Sequence, residues 1–311
     1  MSSSRTISAN GIDMFVREAG QGPLVVLCHG WPELSYSWRH QITALAGAGF
    51  RVVAPDMRGF GRTSAPADIS AYTIFDIVGD MVALVAALGE KQAMIVGHDW
   101  GAPIAWHAAL FRPDIFTKVA GLSVPPSFRG RGLPLETLRQ SGITNFYWQY
   151  FQPPGVAEAE FEADIARTMR LVLGRGVSDP SAMFVDETKG FLGNLPAGRS
   201  LPNWLTDADI AEFAAGYAVS GFRGGLNWYR NIDRNWELTA PWQDARIHQP
   251  ALFIAGSADA VITGLIGSKR VADMERILPN LKQKLIIEGA GHWIQQECPG
   301  EVNAALITFL K

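Results

Sequence analysis

The tightest constraint on this chain is a five-residue turn, Gly97-His98-Asp99-Trp100-Gly101, set between two stretches of different periodicity. Ala93 to Val96, just before it, is a short apolar run that reads as a strand, and Ala102 to Phe111, just after it, repeats apolar residues at helical spacing. A strand that becomes a helix within so few residues holds the middle residue in a strained backbone. Glycines two positions to either side let such a turn close without Cβ clashes, leaving the Asp99 side chain projecting above a sheet edge. This is the context of a nucleophile elbow.

The sheet that such a turn requires is legible on both sides of it. Ile12 to Arg17, Leu24 to Cys28, Arg51 to Ala54 and Val119 to Ser123 are short and β-branched or apolar, bounded by Gly, Pro or charged turns, and read as strands. Tyr72 to Leu88 has helical spacing, so strands and helices alternate and the class is α/β with a mostly parallel central sheet. After Pro125-Pro126 the alternation stops. The chain becomes helical and aromatic to about Trp242, with helices expected at Phe161 to Leu173 and Asp207 to Phe213 and a long loop from Gly190 to Pro202. Strand character returns at Ala251 to Ala255 and Lys284 to Ile287, and Glu301 to Leu310 closes the chain as an amphipathic segment. The organisation expected is a core of residues 1–124 and 242–311 interrupted by a helical cap of residues 125–241.

An aspartate at the centre of the turn narrows the chemistry. A carboxylate attacking an ester carbonyl would give an anhydride, so an Asp nucleophile suits an sp3 carbon bearing a leaving group, as in an alkyl halide or an epoxide. The product is an alkyl ester of Asp99 that water must hydrolyse. That step needs a base near neutral pH, and His292 in Gly289-Ala290-Gly291-His292-Trp293 follows the last expected strand. His40, His107 and His248 read as structural or exposed. Asp259, after Ala251 to Ala255, is the acid expected to orient His292, giving the order nucleophile, acid, histidine. The other place for that acid, Val124-Pro125-Pro126-Ser127, holds no carboxylate. Backbone N–H groups at Trp100 and at Trp31, in His29-Gly30-Trp31-Pro32, are placed to receive an oxyanion. Pro32 permits a cis bond, and His29 reads as a brace.

With those residues assembled, the chain resembles the α/β-hydrolase fold family and, within it, the soluble epoxide hydrolases, over nearly its whole length. His29 to Pro32 is similar to the family's H-G-x-P motif, and Gly97 to Gly101 to its G-x-D-x-G elbow. Phe146-Tyr147-Trp148-Gln149-Tyr150-Phe151-Gln152 resembles the segment carrying one ring-opening tyrosine, which implies Tyr147 with Tyr150 as rival. Gly221 to Arg230 resembles the segment carrying the second, which implies Tyr229. Opening an epoxide builds alkoxide character, and a phenol with an ordinary pKa of about 10 remains a donor at neutral pH. The resemblance implies no metal and no organic cofactor, a small-molecule epoxide and water as partners, and a substrate pocket lined by Trp31, Pro32, Trp100, Trp148 and Trp293. A haloalkane dehalogenase shares the triad but not the tyrosine pair. A non-catalytic receptor on the same scaffold and a serine esterase are the remaining readings, the latter disfavoured by Asp99.

Composition fits this frame. The 311 residues are 48% hydrophobic and 18% charged with a net charge of -3, which argues for a large buried core and gives no electrostatic footprint for nucleic acid. Met1 to Asn10 has no apolar signal-like run, and no uninterrupted apolar stretch reaches the roughly 18 residues of a membrane span. A cytoplasmic monomer or homodimer is expected. Cys28 and Cys298 suggest neither a disulfide nor a zinc site.

Overall fold

The computed structural model describes residues 3–176, 183–186, 188–195, 200–264 and 267–311. Eight strands form one sheet: β1 (Ser3–Ala9), β2 (Ile12–Ala19), β3 (Leu24–Cys28), β4 (Arg51–Pro55), β5 (Ala93–His98), β6 (Phe116–Leu122), β7 (Ala251–Gly256) and β8 (Leu281–Ile287), in the order β1-β2-β4-β3-β5-β6-β7-β8. The pairings β1 with β2 and β2 with β4 are antiparallel, and the five from β4 across to β8 are parallel.

Alternate residues of a strand face opposite sides of the sheet, and β3 shows how both sides are covered. Leu24, Val26 and Cys28 join one apolar cluster, together with α2 (Ile74–Ala87) and α3 (Gly101–Phe111), while Val25 and Leu27 join another. The second cluster is formed with α1 (Arg39–Gly47) and, at the end of the chain, the amphipathic helix Pro299–Leu310. α2 starts where Thr73 and Asp76 exchange hydrogen bonds in a capping box, which satisfies two of its free N–H groups.

β6 and β7 pair directly, Val119 opposite Ala251, although a long segment separates them in the chain. Between them the described elements are helical, apart from two isolated bridges: α4 (Pro134–Gln140), α5 (Tyr147–Tyr150), α6 (Val156–Glu162), α7 (Ile165–Leu171), α8 (Gly190–Gly193), α9 (Asp207–Ser220), α10 (Arg223–Arg230) and α11 (Ile232–Leu238). This layer is tied to the sheet domain by polar contacts. Tyr36 Oη donates to Asp209 at 2.8 Å, Trp228 Nε1 to the Arg58 carbonyl at 3.1 Å, and Arg17 pairs with Glu212 at 2.5 Å.

Three local expectations change. β1 is not among the expected strands; it is an edge strand in which Ile7 alone is buried, so its sequence carries little apolar pattern. The helix expected over Phe161 to Leu173 is broken at Asp164, whose carboxylate caps α7 by accepting the Arg167 N–H at 2.9 Å. The loop expected from Gly190 to Pro202 begins with the short α8, and residues 196–199 of it lie outside the described residues. Among the described residues no helix is long and apolar enough to cross a membrane.

Candidate active site

Asp99 sits between β5 and α3 with a φ of 50°, in the left-handed region. Its neighbours make that turn possible. A Cβ on Gly97 would lie 1.9 Å from the Gly101 carbonyl oxygen, and one on Gly101 would lie 2.0 Å from that of Cys28. The Asp99 carboxylate is held from two sides: Oδ1 accepts the Trp31 N–H at 2.8 Å, and Oδ2 lies 3.4 Å from His292 Nε2. His292 Nδ1 is in turn 3.1 Å from both carboxylate oxygens of Asp259, which opens α12 (Ala260–Thr263) and also accepts the Val261 N–H at 2.9 Å. Side-chain exposure is 15% for Asp99 but 1% and 0% for His292 and Asp259, so Asp99 is the member of the trio that an incoming molecule meets.

Burial works against a charged His292 ring, but the charge and hydrogen bond of Asp259, and those of Asp99 behind them, raise its pKa well above the ordinary value. The ring is therefore held as a cation between two carboxylates.

The expected tyrosines stand over this trio. Tyr147 on α5 and Tyr229 on α10 have ring centroids 5.7 Å apart, and the Tyr229 ring meets those of Trp100 and Trp31 edge-on at 5.2 and 5.9 Å. Burial pushes both phenols up; Asp99 adds to this for Tyr147, and Tyr147 and then Asp99 for Tyr229, so both remain protonated at neutral pH. Tyr150 lies elsewhere, its Oη donating to Glu160 at 2.9 Å. The Trp31–Pro32 bond is cis and Pro32 is buried. The N–H of Trp100, next to Asp99 on the elbow, makes no hydrogen bond among the described residues. Trp148 packs on Phe146 and Tyr147, while Trp293 packs against the rings of His292 and His98.

Three supporting residues were not read from the sequence. Glu33, fully buried, accepts from the Gly30 N–H at 3.2 Å and Gln295 Nε2 at 2.7 Å, and lies 2.6 Å from His98 Nδ1. Burial alone would raise the Glu33 pKa, but the facing His98 ring outweighs it and brings it down to about 2. The His292 carbonyl accepts from Ser123 Oγ at 2.7 Å and from His98 Nε2 at 2.8 Å, so that nitrogen carries its proton. The oxyanion turn, the elbow and the histidine loop are thus braced by one buried network. His29 is part of the same packing: its Nε2 accepts the Met57 N–H at 2.9 Å, which leaves it no role as a base.

A doubly covered, mostly parallel sheet with a strained aspartate at a strand-to-helix turn and a histidine on the loop after its last strand defines the α/β-hydrolase class, and the family model described as the alpha/beta hydrolase fold matches residues 23–299. Epoxide hydrolase A of Mycobacterium tuberculosis is 46% identical over 98% of this chain and 96% of its own length. Epoxide hydrolase 2 of Siraitia grosvenorii is 42% identical over 98% and 97%. The solved structure of epoxide hydrolase A from Mycobacterium thermoresistibile is 48% identical, covers 100% of this chain and 98% of its own, and superposes with a TM-score of 0.94. This chain belongs to the epoxide hydrolase family of the α/β-hydrolase fold.

Proposed function

We propose that this protein hydrolyses small-molecule epoxides to vicinal diols through an ester on Asp99, with residues 125–241 acting as the lid, as a cytoplasmic monomer or homodimer. The observation that carries the reading is one carboxylate on a strained elbow, backed by His292, beneath two protonated phenols. Epoxides are what the names of its relatives refer to.

Asp99 attacks an epoxide carbon while Tyr147 and Tyr229 donate hydrogen bonds to the ring oxygen, and the C–O bond breaks. The alkoxide needs one proton. The cationic His292 has one to lose, because esterification removes the Asp99 charge that helped to hold it while burial continues to oppose it. The count closes without uptake from solvent: carboxylate, imidazolium and epoxide become ester, imidazole and alcohol. Neutral His292, oriented by Asp259, then takes a proton from water as the oxygen attacks the Asp99 carboxyl carbon, and the Trp31 and Trp100 N–H groups receive the oxyanion. Collapse of that intermediate releases the diol and restores carboxylate and imidazolium.

The sign of the pH dependence follows. In the ester the histidine must be neutral, so acidification slows hydrolysis, whereas alkylation needs an ionised Asp99, protonated phenols and the cationic ring, which acidification favours. As the pH is lowered, the steady-state fraction of enzyme carrying the ester should rise, measurable by acid quench and intact mass. A fraction that fell instead would contradict the assignment of His292 as base.

Loss of one phenol leaves the other as donor. Tyr147→Phe or Tyr229→Phe alone should slow ester formation about 10 to 100-fold, and the double change by more than the 10²-fold typical of a single acid catalyst. Assays of diol formed from styrene oxide, against halide released from a bromoalkane, test the function itself. Full epoxide activity in the double variant, or halide release without diol, would rule the reading out.

A further inference from the structure

The two phenols lie on separate pieces of the cap, and the spacing between them must be fixed by something other than α5. That helix is a single turn, too short to hold its own geometry, and the carbonyls of Phe151, Gln152 and Pro153 that follow it have no backbone partners among the described residues. Arg230, the residue after Tyr229, supplies partners instead. Its Nε lies 3.1 Å from the Phe151 carbonyl oxygen and 3.2 Å from that of Gln152, and Nη2 is 3.4 Å from that of Pro153. The guanidinium is enclosed, with 3% of the side chain exposed, and Nη1 contacts Glu158 Oε1 at 2.7 Å and Asn227 Oδ1 at 2.9 Å. Gln152 makes a second tie between the two pieces, its Nε2 donating to the Trp148 carbonyl at 2.7 Å and the Tyr229 carbonyl at 3.1 Å. Phe151, fully buried, packs against both tyrosine rings, its ring centroid 5.5 Å from Tyr147 and 5.0 Å from Tyr229.

We propose that Arg230, with Glu158 as its counter-ion, is a positioning residue for ring opening that sets the separation of Tyr147 and Tyr229; this rests on the reading of those phenols as donors to the epoxide oxygen. Arg230 acts on the carbonyls behind the phenols, so its influence on the reaction passes through them. The spacing of the pair matters only while both meet one oxygen. Ester hydrolysis draws on His292, Asp259 and backbone N–H groups of the sheet domain, which Arg230 does not contact. A guanidinium fork can reach several carbonyls in fixed directions, whereas a lysine ammonium acts as a point charge on a flexible stem.

The test is single-turnover mixing of the full-length enzyme with styrene oxide, following formation and decay of the ester separately by acid quench and intact mass. Arg230→Lys should slow ester formation by about 10² -fold, the loss that a misplacement near 1 Å can cause, while decay stays within about threefold of wild type. Glu158→Gln, which keeps the side-chain shape, should slow formation about tenfold with the same unchanged decay. Formation at the wild-type rate in both variants, or formation and decay slowed in equal proportion, overturns the proposal. Should Arg230→Lys fail to fold by circular dichroism, Glu158→Gln decides. A wild-type enzyme that formed no ester would instead sink the reading of the site, so the two failures are distinguishable.

Discussion

Replacing Asp99 by alanine is expected to abolish diol formation, by about 10⁴-fold or more, the scale seen when a covalent nucleophile is removed. The size of the effect follows from the neighbours. Neither of the two carboxylates beside the site can take over: Asp259 is fully buried behind His292, and Glu33 is enclosed among Gly30, His98 and Gln295. The fold should survive the change. Alanine at a φ of 50° costs about 1 kcal/mol more than a relaxed position, and the orphaned Trp31 N–H costs on the order of 1 kcal/mol. A variant that is folded and inactive therefore isolates the chemistry. Isotope placement gives a sharper version of the same test. In one turnover in ¹⁸O water the label should enter the Asp99 carboxylate and be absent from the diol, because the diol receives an oxygen already on the enzyme. Label in the diol of a single turnover would mean direct attack of water on the epoxide, and the ester mechanism would be abandoned.

The parts of this arrangement that could be read from the sequence are those encoded locally. The elbow is five consecutive residues between a strand pattern and a helix pattern. Asp259 and His292 each stand just after a strand rich in apolar residues, so topology alone brings them to one sheet edge. Tyr147 and Tyr229 carried no such local signal and came from the resemblance of the flanking aromatic segments. The network beneath the site was not legible for a related reason. Glu33 and His98 are 65 positions apart, and each looks unremarkable until β3 and β5 pair in register, Cys28 opposite Gly97. Ser123 likewise acquires its partner, the His292 carbonyl, only through the β6–β7–β8 order. β1 is not legible in the sequence because an exposed edge strand needs no apolar alternation, its backbone pairing with β2 being sufficient.

The complementary result is expected from His292→Gln: the ester should form and then persist, giving an intact mass raised by the mass of the substrate. Glutamine keeps a polar side chain against Asp259 but takes no proton from water near neutral pH, so the hydrolytic half-reaction should fall by about 10³-fold, within the range of a general base. The nucleophile is left in working order. Trp31 still donates to Asp99 Oδ1, the elbow is unchanged, and Tyr147 and Tyr229 still cover the site. Removing the neighbouring cation even leaves a less compensated and hence more nucleophilic carboxylate, while the proton for the alkoxide must now come from solvent. The adduct should map to the peptide containing Asp99 and be absent from the Asp99→Ala/His292→Gln double variant. If His292→Gln made diol at the wild-type rate, water would be activated elsewhere; if it formed no adduct while remaining folded, the proton from His292 would be indispensable to ring opening, and the separation of the two half-reactions would fail.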